Sequence, residues 1–445
     1  MSANTVLVVL SMAALLLVAV FSRIYFQSWL KPGAFFPLMV SLFFIPSLIF
    51  ASSYYVYAGA LLWVVVSVMC FSSGSMLVSL KYQSRLPKSL DEDSSNGRYR
   101  NFKSSDILRS ITPVLAVSIA LGLLSSFLLI WFYGRSVTLF FSSKAIGEIG
   151  HNLSVIRYAG NGSPPLLSQI LLAFVYSSPI LGGVSYARGG TRISRVLSIL
   201  SLLPAFVVFL IQTTRAAPLF AVALWATSYF SYKVFLGRGV PVPLFTKRRA
   251  LVLVVVLFAF VLISSIGTVF RTSEVPTAGN VISGIRSPDT TATLFGHVSA
   301  YSREFQEVWA ENEKPTYGSI TFAGIVELTA SNSNVPRKVW YFPDGTRTTI
   351  DTIFASLFKD FGYAGSLVFL FALGVISSLI YENVSRGKFL LVPLLSTLFL
   401  FVGLIIGSIF KYATIILAFL IVQAYFVAAW IHVNPRSARA KAGNK

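Results

Sequence analysis

Residues 271–313 read RTSEVPTAGNVISGIRSPDTTATLFGHVSAYSREFQEVWAENE, and residues 351–361 read DTIFASLFKDF. Together they open and close a 91-residue stretch, Arg271–Phe361, with 8 basic and 10 acidic residues. On one side stands LVLVVVLFAFVLISSIGTVF (251–270), and on the other an apolar run from Tyr363. A mixed-polarity island between two hydrophobic runs decides the class: the chain crosses a bilayer repeatedly and leaves one long loop outside it.

The remainder of the 445 residues supports this. The chain is 55% hydrophobic and 12% charged, with mean hydropathy +0.74. Backbone inside hydrocarbon must satisfy its own hydrogen bonds, and a helix needs about 20 residues to span it. A β-barrel would show short alternating strands, and the sequence has none. The expected fold is an all-α polytopic membrane protein with about eleven transmembrane helices. They lie near Thr5–Phe21, Ala34–Tyr54, Tyr57–Leu80, Ile111–Tyr133, Leu166–Ala187, Val196–Gln212, Pro218–Leu236, Leu251–Phe270, Tyr363–Tyr381, Leu390–Phe410 and Thr414–Ile431. The domain division is 1–270 (helices one to eight), 271–361 (the loop domain) and 362–445 (helices nine to eleven with the tail).

Cys70 is the only cysteine, so there is no disulfide framework and no thiol metal site. His151, His297 and His432 lie far apart, and no metal or other cofactor is expected. The net charge of +20 concentrates in short connectors, where it signals topology rather than nucleic acid. Arg23 and Lys31 follow the first span, and no basic residue precedes it. That orientation puts the N-terminus outside the cytoplasm and argues against a cleaved signal peptide. Lys81–Ser110 is strongly basic, and Arg188, Arg192 and Arg195 form another basic turn. Alternating sides makes the long loop external and the C-terminus cytoplasmic.

Inside the loop, Phe295, Val298, Tyr301, Phe305 and Val308 recur at helical spacing, predicting an amphipathic helix over Leu294–Glu311. His297, Glu304 and Glu311 share its polar face. Pro343-Asp344-Gly345 predicts a turn, and Thr349–Phe361 a second amphipathic segment lying at the interface before Gly362 and Gly365. Outside it, Ser142–Tyr158 suggests another short amphipathic helix.

Arginine offers a planar, permanently charged fork that matches phosphate oxygens. Arg157, Arg215, Arg271, Arg286, Arg303 and Arg347 fall on the external side and are the candidate diphosphate ligands. Interfacial arginines also snorkel to lipid headgroups, so Arg215, in a tight turn with no acid near it in sequence, is the most informative. His297 is the first candidate for a general base and Glu304 the second. No DxD pair occurs in the external loops, and the chain has no phosphate-binding Walker loop, HExxH or nucleophile elbow.

Several segments resemble the bacterial oligosaccharide repeat-unit polymerases (O-antigen polymerases, Wzy type). They are Val155-Ile156-Arg157-Tyr158, Thr213-Thr214-Arg215-Ala216-Ala217, Tyr317-Gly318-Ser319-Ile320-Thr321-Phe322, and Thr348-Thr349-Ile350 with Phe358-Lys359-Asp360-Phe361-Gly362-Tyr363-Ala364-Gly365. The resemblance runs from about residue 150 to 385. The arginine-x10-glycine motif of one branch is absent. The resemblance implies a GT-C-like, metal-independent glycosyltransferase of lipopolysaccharide biosynthesis in the bacterial inner membrane. It would join undecaprenyl-diphosphate-linked glycan donor and acceptor at the external face, with a chain-length regulator as a possible partner. Arg157 and Arg215 resemble the family's arginines and would hold the diphosphate. The rivals are an O-antigen ligase, similar in layout and donor; a lipid-linked sugar transporter or flippase, which predicts mid-span charges and broken helices; and a structural scaffold.

Overall fold

The computed structural model describes residues 3–51, 53–83, 111–132, 166–212, 216–237, 261–262, 265–267, 269, 278–285, 287–311, 314–329, 340–348, 352–403, 405 and 407–433. Among these, eight helices are long and apolar enough to cross a membrane. The protein is a multi-pass, all-α membrane protein.

The helices are α1 (Ala3–Phe26), α2 (Pro32–Phe50), α3 (Ala58–Gln83), α4 (Ile111–Phe132), α5 (Leu166–Arg188), α6 (Arg192–Leu200), α7 (Leu203–Gln212) and α8 (Ala216–Phe235). Next come four short helices, α9 (Ala278–Ile285), α10 (Pro288–Phe295), α11 (His297–Glu311) and α12 (Ala323–Thr329). An antiparallel hairpin, β1 (Trp340–Tyr341) and β2 (Arg347–Thr348), precedes α13 (Ile353–Ser385), α14 (Val392–Gly403) and α15 (Ala413–Val433). The eight candidate spans are α1 to α5, α6 with α7, α13 and α15. Of the other expected spans, residues 251–260 lie outside the described part. α8 is long enough but carries Thr227, Ser228, Ser231 and Lys233 in its second half. α14 has 12 residues, about 18 Å of helix against about 30 Å of hydrocarbon.

Two groups of helices share one apolar core. α3 packs on α1, α2 and, most extensively, α13; α5 packs on α4, α8 and α15; α14 joins the groups by touching α2, α8 and α13. In α5, 72% of the most apolar stretch is buried inside the molecule against 22% in α1, which sets α5 at the centre and α1 at the rim.

Small residues permit the closest approaches. A Cβ on Gly74 would stand 2.2 Å from the Phe371 carbonyl oxygen, and one on Gly374 2.1 Å from that of Phe71, so only glycine fits where α3 crosses α13. Between α8 and α14 the Ser396 hydroxyl meets those of Ser228 (2.7 Å) and Thr227 (3.2 Å). α6 is turned unusually: Ser194 and Ser198 face inward while Ile193, Val196 and Ile199 are exposed. That polarity suits a helix whose outer solvent is lipid.

Two interruptions shape the interior. In α13, Gly362 adopts φ 64°, ψ −166°, a conformation essentially confined to glycine. It separates a limb of residues 353–361 from a longer limb of residues 363–385. Beyond α14 the chain turns irregularly through Gly407 and a 3-10 turn at Ile409–Lys411 before α15. The two interruptions touch: the Ile353 amide donates to the Ile405 carbonyl at 2.9 Å. The segment before Gly362, expected to lie on the membrane interface, is instead enclosed, with Ile353 to Phe358 and Asp360 all buried. Its amphipathic pattern is met by protein on both faces.

Candidate functional site

α10, α11 and the hairpin form a roof over the ends of α2 and α3, and α12 packs beside it on α15 and the 3-10 turn. Ser287 caps α10, its hydroxyl accepting from the Thr290 amide at 3.2 Å, with Pro288 in the first turn. The helix expected over Leu294–Glu311 is two helices, broken at Gly296. α11 is then fixed residue by residue. The Ser299 hydroxyl donates to the Tyr55 carbonyl (2.7 Å), the Tyr57 amide donates to the Ser302 hydroxyl (2.5 Å), and the Tyr301 hydroxyl donates to the Ala60 carbonyl (3.3 Å).

This docking buries the face expected to be polar and solvated. His297 is 1% exposed and Glu304 3% exposed. Both lie beside the apolar stripe of Val298, Tyr301 and Phe305, and the stripe that meets the bundle is wide enough to include them. The His297 ring packs edge-on to Phe43 and Phe44, and its Nε2 lies 3.2 Å from the Ser47 hydroxyl. Nδ1 has no well-aligned hydrogen-bond partner. Burial lowers the imidazole pKa to about 4, against a weaker upward pull from the Leu294 backbone carbonyl. At neutral pH the ring is uncharged and enclosed by protein.

Glu304 has a different environment. Its carboxylate forms an ion pair with the ammonium of Lys359, on the first limb of α13. Both groups are largely shielded from solvent, so removing either partner leaves an uncompensated charge. Beside them the Phe305 and Phe358 rings stack at 4.9 Å. The next residue, Asp360, is fully buried and organises the turn before α12. Its carboxylate accepts from the Thr316 hydroxyl, the Ile320 amide (3.1 Å) and the Thr321 amide (2.5 Å). Lys359 and Asp360 therefore tie α11, the turn at 316–322 and α13 into one polar corner.

The expected turn at Pro343-Asp344-Gly345 is present and closes the hairpin. The Tyr54 and Phe342 rings stack at 4.1 Å, and the Tyr54 hydroxyl donates to Asp344 Oδ2 at 3.1 Å. Slight burial raises the Asp344 pKa, but hydrogen bonds from the Thr346 hydroxyl and amide and from Tyr54 outweigh it and hold the carboxyl below its usual range. Arg303 donates to the Tyr341 carbonyl at 2.5 Å and lies over the Phe342 ring at 5.7 Å. In the hairpin register Tyr341 is opposite Arg347, so the Arg303 side chain docks on the strand that pairs with the backbone of Arg347. Arg157, Arg215, Arg271 and Arg286 lie outside the described residues, as does the expected helix at Ser142–Tyr158.

Sequence reasoning missed Lys359 as the partner of Glu304, although a lone lysine within the apolar run 353–361 was a visible signal. It had no means of finding Ser47, 250 residues from His297. Among the described residues no group of three His, Cys, Asp or Glu side chains could hold a metal. Two apolar clefts open between helices. One of about 260 Å³ lies between α4, α5 and α15, and one of about 190 Å³ between α14, the 3-10 turn and α15. Neither is lined by His297, Glu304 or an arginine; their linings suit hydrocarbon. No protein-family model, no curated protein and no solved structure matches this chain.

Proposed function

We propose that this protein is an integral membrane glycosyltransferase that extends oligosaccharides linked to a polyprenyl diphosphate. The observation that carries the reading is the polar corner beneath the roof: a shielded carboxylate, Glu304, held beside Lys359 where the short helices meet the bundle. An ionised carboxylate within hydrogen-bond reach of an acceptor hydroxyl can take its proton as a general base. Glu304 takes the proton of an acceptor hydroxyl as its oxygen attacks the anomeric carbon of the donor sugar. The bond from that carbon to the diphosphate breaks, and the diphosphate leaves with the electron pair. Arginine forks stabilise the departing charge, with Arg157, Arg215, Arg271, Arg286, Arg303 and Arg347 as the set. In this reading His297 supports the roof and Glu304 takes the role of base.

The wider reading has eleven spans in the bacterial cytoplasmic membrane, the roof and N-terminus outside and the C-terminus in the cytoplasm. The basic connectors support it. The test is elongation of a purified lipid-linked repeat unit by the reconstituted protein, with Glu304→Gln beside wild type. Wild type is expected to build a ladder of products and Glu304→Gln to lose it while still unfolding cooperatively; a ladder from both removes Glu304 from the chemistry. A ladder made without lipid A separates polymerase from ligase.

A second reading has its own observation. Helices interrupted at Gly362 and after Gly403 are the architecture of transporters that bind substrate at broken helices. Vesicles loaded with labelled lipid-linked oligosaccharide decide between them. Movement of label across the bilayer with no new glycosidic bond assigns transport.

A further inference from the structure

Tyr317 is the most exposed large hydrophobic side chain among the described residues, at 85% accessibility. It stands on the turn before α12, outside every candidate span. Its backbone has φ +50°, in the left-handed region that bulky residues seldom adopt, and Gly318 follows at φ +92°. An exposed ring gains nothing from packing that would offset such a conformation, and glycine would take it without strain.

The surrounding bonds nevertheless hold it there. The Thr316 amide donates to the Lys359 carbonyl at 3.1 Å, and the Tyr317 amide to the Asp360 carbonyl at 2.9 Å. The buried Asp360 carboxylate grips the turn from beneath through Thr316, Ile320 and Thr321. Backbone strain kept in an over-determined setting marks a functional position. The rigid turn thus presents a ring with free faces, anchored to Asp360 and to Lys359, the ion-pair partner of Glu304.

We propose that Tyr317 is a stacking platform for one sugar ring of the glycan, holding it beside Glu304 and setting which saccharide is accepted. The chemistry of the turn selects this ligand class. Thr316, Tyr317, Gly318 and Ser319 carry hydroxyls and an aromatic face but no charge, which suits a neutral hydroxylated ring whose C–H face lies on the phenol. The inference rests on the glycosyltransferase reading above.

The experiment compares wild type with Tyr317→Gly and Tyr317→Phe in lipid nanodiscs, using lipid-linked oligosaccharide extracted from the source cells' membranes. The readouts are KM and kcat for elongation, the thermal midpoint, and binding of sugar-free polyprenyl diphosphate. Tyr317→Gly relieves the strain, so its thermal midpoint is expected to equal or exceed that of wild type. Its KM is expected to rise about tenfold, the effect of losing one ring's apolar contact, with kcat held. Tyr317→Phe keeps the aromatic face that stacks on the sugar, so its KM is expected to stay within about twofold of wild type. An unchanged KM in Tyr317→Gly overturns the proposal and leaves the enzyme reading standing. A lowered midpoint in that variant makes the ring structural, and an equal loss of sugar-free lipid binding makes it a membrane contact; either overturns the proposal. No ladder from wild type ends both readings.

Discussion

The two limbs of α13 belong to one helix and have different solvents. Along residues 363–385 only a stripe is buried, running through Ser366, Leu370, Gly374, Ser377, Tyr381 and Val384 against α3, while Val368 and Ile376 are exposed. Along residues 353–361 nearly every side chain is buried, and Lys359 and Asp360 each have specific partners. A limb bathed in lipid requires only apolarity outside and small residues inside. A limb enclosed by protein requires each polar group to be answered. Apolar sequence alone does not separate the two cases.

The largest effect that would break this contrast lies at Lys359. Lys359→Met leaves Glu304 shielded and unpaired, and thermal unfolding in detergent should register a loss of about 3–5 kcal/mol. Adding Glu304→Leu should restore most of it, whereas no recovery in the double variant would show that the pair is not coupled. His297 tests the dryness of the roof. With its folded pKa lowered to about 4 from an unfolded value near 6.5, the unfolded chain binds the proton first. The stabilisation is complete above about pH 6.5 and is lost as pH falls towards 4, by up to about 3 kcal/mol. Unfolding midpoints measured from pH 7 to pH 4.5 should fall more steeply in wild type than in His297→Asn; parallel slopes would place the ring in contact with water.

Gly362→Ala should cost about 2 kcal/mol, because the limbs join through a backbone conformation costly to any other residue. Circular dichroism melts would read it, and a neutral result would mean the joint relaxes to continuous helix. Tyr54→Phe removes a hydroxyl that serves Asp344 and should cost about 1 kcal/mol. Val368→Ala, on the lipid-facing limb at 68% exposure, should change stability by less than about 0.5 kcal/mol.

Most of the architecture was legible because hydrocarbon imposes a strict rule on the backbone, so long apolar runs announced α1 to α5, α13 and α15 directly. α14 was harder. Its sequence continues apolar through Phe410, but after Gly403 the chain turns through Gly407 at φ 76° and a Ser408-capped 3-10 turn that packs on α12. The roof was legible in its punctuation, with Gly345 and Gly362 marking a turn and a joint. The status of its charges was not legible. His297 and Glu304 sit seven apart on a helix of mixed polarity, and only the docking of α11 reveals that both face inward. Whether such a group meets solvent depends on residues as remote as Ser47 and Lys359.

The hydrogen bond from Ile353 to Ile405 has a mechanical consequence. It pins the start of one interrupted helix to the trailing end of another, and Lys359 lies less than two turns further along the first. A tilt of α14 within the membrane is thereby geared to the strut that carries Lys359, the ion-pair partner of Glu304, so the short helix acts as a lever whose stroke reaches the roof.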